Sequence, residues 1–233
     1  MAVVKKIVSI GGGDIGRVKI MPDGSKKRIP NETMAIDKEI VRLSGKKSPK
    51  LLFIGAAQND NPAYYENIRK HFVNKLACKV SALNIVSDKP NTAQIKKAIL
   101  NSDIIYIGGG DTKHLIDVLK TSGAFGALKT AYNSGIVIAG MSAGGICWFD
   151  FYSNEEYITN NNQLNVLPGF GYIPGFCTAH WNTKNSGGKQ VMRNMLAKKR
   201  INGYAMDNGT AIISENGILR TIRSLPDASV ESL

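Results

Sequence analysis

The feature that most constrains the fold is an alternation of short apolar runs with segments of helical periodicity. The apolar runs with strand character are Val3–Ile10, Leu51–Ala56, Val80–Ile85, Ile104–Ile107 and Ile136–Ala139. The helical patterns between them are Asn31–Leu43, Pro62–Leu76, Thr92–Leu100, Thr112–Leu119 and Phe125–Tyr132. This alternation predicts an α/β protein with an open, mainly parallel sheet and helices on both faces. Continuous apolar strands such as LLFIGAA fit strands that are covered on both sides.

The pattern changes in the C-terminal third of the chain. The polar stretch SNEEYITNNNQ runs into VLPGFGYIPGF, and a further helix is expected at Gly188–Lys199. Short strands, YAM, TAII and ILRTI, follow, with turn signals at Asp207-Asn208-Gly209 and Asn216-Gly217. The sequence shows no internal repeat and no flexible linker, so we expect residues 1–233 to form a single domain.

Composition excludes several classes of protein. No apolar run approaches the roughly 18 residues of a membrane span. The start, MAVVKKIVSIGGG, is typical of a first strand rather than a signal peptide. The three cysteines form no CxxC pair, which argues against a disulfide framework or a zinc ribbon. We therefore expect a cytoplasmic protein whose cysteines lie in the core. There is no HExxH motif, and we expect no metal and no cofactor.

The net charge is strongly basic, at +12 from 30 Lys and Arg against 18 Asp and Glu. The basic pairs are scattered, and no aromatic stacking platform runs through them, which argues against a nucleic-acid partner. The distribution is typical of a solvated basic surface. The sequence leaves the oligomeric state open, a homodimer included.

Two glycine-rich turns follow strand candidates. Gly11–Gly16 satisfies GxGxxG, but the helix that a dinucleotide site needs cannot begin there, because Pro22, a Pro-Asp-Gly turn and Pro30 follow. We interpret it as a tight turn that borders the site. The turn Ile107–Thr112, IGGGDT, does lead into a helix. It is either an anion or oxyanion cradle or a simple turn capped by Asp111 or Thr112.

A third turn carries the strongest functional signal. Gly-x-Ser-x-Gly at Gly140–Gly144 lies between an apolar strand and a helix, which is the context of a nucleophile elbow. The pattern predicts Ser142 as a nucleophile, with the N–H of Ala143 facing a developing oxyanion.

A serine nucleophile needs a base, and the chain has three histidines. His180 is favoured as the base, because it ends the apolar, glycine-flanked segment GFCTAH. His114 is expected in the first turn of a helix, where the protonated imidazolium is disfavoured. His71 is expected inside a helix. The orienting carboxylate is predicted to be Asp207, with Glu155 or Glu156 as the alternative. The resulting order, Ser, His, acid, argues against an α/β-hydrolase.

At these residues the sequence resembles the serine peptidases of family S51, the aspartyl dipeptidase (peptidase E) and cyanophycinase group. The matching segments are YIGGGDT (Tyr106–Thr112), GMSAGG (Gly140–Gly145), FCTAHWNT (Phe176–Thr183) and YAMDNGTAII (Tyr204–Ile213). The resemblance implies a flavodoxin-like, class I glutamine-amidotransferase-like fold. It also implies that Ser142 is the nucleophile, that His180 is the base, and that the N–H groups of Gly109 or Gly110 and of Ala143 bind the oxyanion.

The expected function is that of a serine peptidase acting on small peptides through a Ser-His-acid triad and an acyl-enzyme. The resemblance implies dipeptidase-like action with a preference for acidic residues. Asp111, Thr112, Trp181 and Asn182 are expected to contact the substrate. Two alternatives stay open: an esterase or acyltransferase on the same serine, and a non-catalytic binding module.

Overall fold

The five predicted strands assemble into a larger sheet. The computed structural model describes residues 3–153 and 166–233. Its main sheet has seven strands, which in spatial order are β13 (Ile218–Arg223), β12 (Thr210–Glu215), β1 (Lys6–Ile10), β7 (Val137–Met141), β6 (Ile104–Ile107), β4 (Lys50–Ile54) and β5 (Lys79–Ala82). Strands β1, β7, β6, β4 and β5 are parallel to one another. Strands β12 and β13 extend the sheet in antiparallel fashion.

Helices cover both faces of this sheet, as the alternation predicts. The helices are α1 (Met34–Leu43), α2 (Pro62–Leu76), α3 (Thr92–Leu100), α4 (Thr112–Thr121), α5 (Ala124–Asn133), α6 (Ala143–Ile146) and α7 (Ser186–Lys199). Helices α1 and α2 pack on one face, and α3 to α6 pack on the other. Successive residues of β6 alternate between the two cores, and all four are fully buried, which explains its unbroken apolar sequence.

Local sequence signals set the helix boundaries. Asn61 caps α2 by accepting hydrogen bonds from the N–H groups of Ala63 and Tyr64, and Pro62 occupies the first helical position. Asn91 and Gln94 form a reciprocal capping box at the start of α3. No helix in the described ranges is long and apolar enough to cross a membrane.

A second sheet and a hairpin complete the described chain. The second sheet contains β14 (Val230–Ser232), β11 (Gly203–Met206), β10 (Ile173–Thr178), β8 (Phe149–Tyr152) and β9 (Leu167–Pro168), in spatial order. The segment after the first glycine turn forms the two-stranded hairpin β2 (Ile15–Ile20) and β3 (Lys26–Asn31). Its Pro-Asp-Gly sequence makes the turn between the strands, so no helix opens at this GxGxxG motif.

Candidate active site

The functional candidates converge at the carboxyl ends of the parallel strands. The turn after β1 carries Gly11 and Gly12, the turn after β6 carries Gly109 and Gly110, and Ser142 follows β7. Strands β1, β7 and β6 are neighbours in the sheet, so these three turns are adjacent. This edge is where open α/β sheets bind their ligands.

Ser142 occupies a strained bend between β7 and α6. Its backbone has φ 51° and ψ −114°, a conformation that L-residues rarely adopt. The bend is fixed on both sides: the N–H of Ser142 donates to the carbonyl of Ile10 at 2.8 Å, and its carbonyl accepts from Ile146 at 2.8 Å. A side chain at Gly144 would collide with the carbonyl of Ile107. Only glycine at position 144 therefore allows the start of α6 to approach the end of β6 this closely.

His180 reaches Ser142 from the end of the second sheet. Strand β10 ends two residues earlier, and His180 has a left-handed backbone with φ 54°. The backbone N–H of His180 donates to the carbonyl of Gly11 at 2.9 Å. This bond ties the histidine to the first glycine turn, and its Nε2 lies 2.9 Å from Oγ of Ser142. The serine and the histidine that the sequence singled out are therefore in hydrogen-bond contact.

Asn208, rather than the predicted Asp207, contacts the other nitrogen of the imidazole. Nδ1 of His180 lies 2.7 Å from Oδ1 of Asn208. An amide oxygen only accepts, so this contact places the proton on Nδ1 and leaves Nε2 free to accept the Ser142 hydroxyl proton. The carboxylate of Asp207 instead accepts from the N–H of Ser229 at 2.9 Å and from its hydroxyl at 3.2 Å.

The two neighbouring side chains contact different parts of the protein. Asp207 and Asn208 lie in the turn that follows β11, where the carboxylate of Asp207 contacts Ser229 and the amide of Asn208 contacts His180. The alternative acids, Glu155 and Glu156, lie outside the described residues.

Two side chains next to His180 that are predicted to contact the substrate make hydrogen bonds within the protein. Trp181 is 3% exposed, and its Nε1–H donates to Glu231 of β14 at 2.8 Å. Asn182 accepts the backbone N–H of Asn208 at 3.1 Å. Trp181 therefore ties the loop that carries His180 to β14, and Asn182 ties the same loop to the turn after β11.

Asp111 and Thr112 likewise have structural contacts. Asp111 caps α4 by accepting the N–H of His114 at 3.0 Å, and Thr112 is 2% exposed. His114 bonds Asn59, and buried His71 bonds Asp37, so each of these two histidines has a partner other than Ser142.

The oxyanion candidates divide into free and occupied donors. Within residues 3–153 and 166–233, the N–H groups of Gly110 and Ala143 donate to no protein acceptor. The N–H of Gly109 donates to the hydroxyl of Tyr64 at 3.1 Å. Burial raises the pKa of the Tyr64 phenol, so it stays protonated around neutral pH. Gly110 and Ala143 are thus the pair available to a substrate oxygen.

A cleft of about 340 Å³ opens beside Met141, the residue before the serine. Gly13, Arg17, Gln58 and Tyr64 are among its lining residues. Nε of Arg17 pairs with the Asp14 carboxylate at 2.8 Å. The cleft therefore presents a guanidinium close to the bend that carries Ser142.

The three cysteines lie in the core. Cys78, Cys147 and Cys177 are all buried, as predicted for core residues. Burial raises the pKa of the Cys78 thiol to about 11 and raises those of the other two further. None is therefore a ready thiolate nucleophile. The described residues contain no group of three or more His, Cys, Asp or Glu that could hold a metal ion.

Sequence reasoning missed Asn208, Tyr64 and Arg17. A signal for Asn208 was present: it stands beside the predicted acid in the turn Asp207-Asn208-Gly209. Tyr64 lies far from the motifs in sequence, and Arg17 directly follows the Gly11–Gly16 turn without a local signal of a role at the site.

Gly12 packs directly against the histidine and the asparagine. A side chain there would collide with Nδ1 and Cε1 of His180 and with Oδ1 of Asn208, and its φ is +141°. We expect Gly12→Ala to lower kcat/KM by about 10²-fold or more, because it displaces the base from the serine. Steady-state kinetics measure the effect. Gly217→Ala is the matched control, since its φ is also positive and nothing lies within 4 Å of its added methyl group. Equal losses in both variants would contradict the steric explanation.

Comparison with known proteins places the chain in a family. The family model for peptidase family S51 matches residues 23–222. The chain therefore belongs to peptidase family S51, and it is a serine-type peptidase, a hydrolase.

One curated relative and two solved structures agree with this assignment. The chain is 29% identical over 210 residues to the uncharacterized peptidase YgaJ of Bacillus subtilis (strain 168), covering 90% of this chain and 83% of that protein. A crystal structure of a peptidase from an acI-B1 Actinobacterium is similar with a TM-score of 0.69 and 16% identity, over 99% of this chain and 96% of that one. A crystal structure of a putative peptidase E protein from Listeria monocytogenes EGD-e is similar with a TM-score of 0.63 and 20% identity, over 95% of this chain and 99% of that one. The structural likeness confirms the predicted flavodoxin-like α/β fold.

Proposed function

We propose that this peptidase cleaves short peptides through a Ser142–His180–Asn208 triad and an acyl-enzyme intermediate. The observation that carries the proposal is the continuous hydrogen-bonded array, with 2.9 Å from Ser142 to His180 and 2.7 Å from His180 to Asn208. The arrangement matches the geometry of a nucleophile, a base and an orienting group. An amide in the third position is compatible with catalysis, as the Cys-His-Asn enzymes show.

The proposed reaction begins with proton transfer from the Ser142 hydroxyl to Nε2 of His180. The serine oxygen attacks the peptide carbonyl, whose oxygen takes up negative charge and accepts the N–H groups of Gly110 and Ala143. The protonated His180 then gives its proton to the leaving amine, and water hydrolyses the acyl-enzyme by the same route in reverse. The strained φ of Ser142 supports its assignment as a nucleophile elbow, because strain of this kind concentrates at active sites.

The cleft beside Met141 supports a short, acidic substrate. Its volume of about 340 Å³ suits one or two residues of a peptide. Arg17 offers a planar guanidinium that can bind a carboxylate, and only its Nε pairs with Asp14. We therefore assign the preference for an acidic residue next to the cleaved bond to Arg17.

A substrate panel tests the proposal. Dipeptides with acidic and neutral N-terminal residues, and matching esters, are compared as substrates, and a fluorophosphonate probe reports on serine reactivity. We expect the acidic dipeptides to be cleaved fastest and the probe to label Ser142. Turnover of the esters alone would contradict peptidase action of this site, and an unlabelled serine would indicate a binding module.

Arg17→Gln tests the source of the specificity. Loss of a charge-assisted contact is expected to raise KM for acidic dipeptides by about tenfold or more and to leave neutral dipeptides nearly unchanged. Arg69→Gln is the matched control, because Arg69 pairs with Glu66 three residues away just as Arg17 pairs with Asp14. An unchanged KM for acidic substrates in Arg17→Gln would refute this assignment.

A further inference from the structure

A basic groove lies beside the cleft, between the β2–β3 hairpin and helix α2. Its volume is about 990 Å³. Arg17 and Arg28 line it from the hairpin, and Lys70 and Lys75 line it from the helix. None of the described residues that line the groove is acidic. Four cationic side chains thus converge on one concave surface from two opposing walls.

Two of these cations are available to a ligand. Arg28 and Lys75 are exposed and form no ion pair with the described part of the chain. Arg17 and Lys70 each face one carboxylate, those of Asp14 and Glu66, at 2.8 and 3.4 Å. The positive charge of the groove is therefore only partly compensated by the protein itself.

A buried histidine also lines the groove. His71 is 6% exposed, and its Nε2 lies 2.8 Å from Oδ2 of Asp37. The hydroxyl of Thr33 donates to the same carboxylate oxygen at 2.7 Å, which fixes the pair. The Nδ1 of His71 bonds no described residue and is not among the fully buried, unpartnered atoms of that part of the chain. Since His71 lines the groove, Nδ1 adds a polar ring atom to its wall.

Neutral amides supply further donors. Asn31 lines the groove from the hairpin, and Asn67 and Asn74 line it from α2. Residues 67, 70, 71, 74 and 75 follow helical spacing, so they share one face of the helix. The groove therefore combines guanidinium, ammonium, amide and imidazole groups within one site.

We propose that this groove binds a small molecule bearing two or more phosphoryl groups. Phosphate oxygens accept several charge-assisted hydrogen bonds at once, and guanidinium groups bind them in a bidentate manner. The cations line the groove from both the hairpin and the helix, which suits a ligand of high negative charge. The groove shares Arg17 with the cleft beside Met141, but Arg28, Lys70 and Lys75 do not line that cleft, and occupancy of the groove does not depend on turnover at Ser142.

Calorimetric titration of the full chain with inorganic tripolyphosphate tests the proposal. We expect saturable 1:1 binding that weakens as ionic strength rises. In the double variant Arg28→Glu/Lys75→Glu, the affinity is expected to fall on the order of 100-fold, about tenfold for each lost charge-assisted contact. The milder Arg28→Gln/Lys75→Gln should show a smaller loss, and thermal melts establish that each variant is folded.

The matched control is Lys96→Glu/Lys129→Glu, which makes the same change in net charge at exposed positions that do not line the groove. We expect its affinity for tripolyphosphate to fall by less than about threefold, because distant charges are screened by salt. Absence of saturable binding would overturn the proposal, as would equal losses in the control and groove variants. Binding of a glutamate-rich peptide at this groove, without binding of tripolyphosphate, would overturn it in favour of a peptide site. Because no arm measures peptide cleavage, a failure here is distinct from a failure of the proposed function.

Discussion

Replacing Ser142 with alanine is expected to lower kcat for peptide cleavage on the order of 10⁴–10⁶-fold. The hydroxyl is the group that His180 contacts at 2.9 Å, and no buried cysteine can replace it. Binding of peptide should persist, since the cleft residues and the two free N–H groups are unchanged. Single-turnover kinetics and binding of an uncleaved dipeptide to the variant measure the two effects separately.

The control for this experiment is Ser48→Ala. Ser48 is an exposed serine whose hydroxyl donates to the carbonyl of Ala77. It should retain full activity and should not alter fluorophosphonate labelling. Near-normal cleavage by Ser142→Ala, with purity confirmed by mass spectrometry, would show that another group is the nucleophile.

Asn208→Ala is expected to reduce kcat on the order of 10²–10⁴-fold, because the imidazole loses the acceptor that fixes its tautomer. Asn208→Asp should instead retain the contact with Nδ1 of His180. A carboxylate there stabilises the imidazolium that forms during attack, so we expect kcat to rise by roughly tenfold. Measurement of kcat for both variants, with the rate of fluorophosphonate labelling as a second readout, tests the role of the amide.

Asp207→Ala separates orientation of the histidine from stability of the strand. Its carboxylate bonds Ser229, so its loss is expected to lower the free energy of unfolding by about 1–3 kcal/mol while labelling of Ser142 continues at a near-normal rate. Urea titrations and labelling kinetics give the two values. The opposite outcome, with a reactive serine in Asn208→Ala and an unreactive one in Asp207→Ala, would restore Asp207 as the orienting group.

The sequence predicted the main sheet well because its strands are unbroken apolar runs between helices. Strands β6 and β7 are fully buried, so their residues have to be apolar at every position. The second sheet was only partly predicted: β10 contains Pro174 and Gly175, and β14 is three residues long. Strands of this kind acquire their identity from neighbours that are distant in sequence, and no local pattern reveals them.

The candidate site, like the fold, was predicted only where a local sequence pattern marks a residue. Ser142 and His180 were found because each follows a distinctive strand-and-turn pattern. The choice between Asp207 and Asn208 depends on which side chain of the turn after β11 reaches His180, and chemical type favoured the carboxylate. The contact of Tyr64 could not be predicted, because its hydroxyl and the N–H of Gly109 that donates to it lie 45 residues apart in the sequence.

The last strand, β14, links the end of the described chain to the loop that carries His180. Ser229 bonds Asp207, and Glu231 bonds both Trp181 and Arg193. Deletion of residues 229–233 would therefore remove the hydrogen-bond acceptor of Trp181, which lies next to His180, and would leave one edge of β11 unpaired.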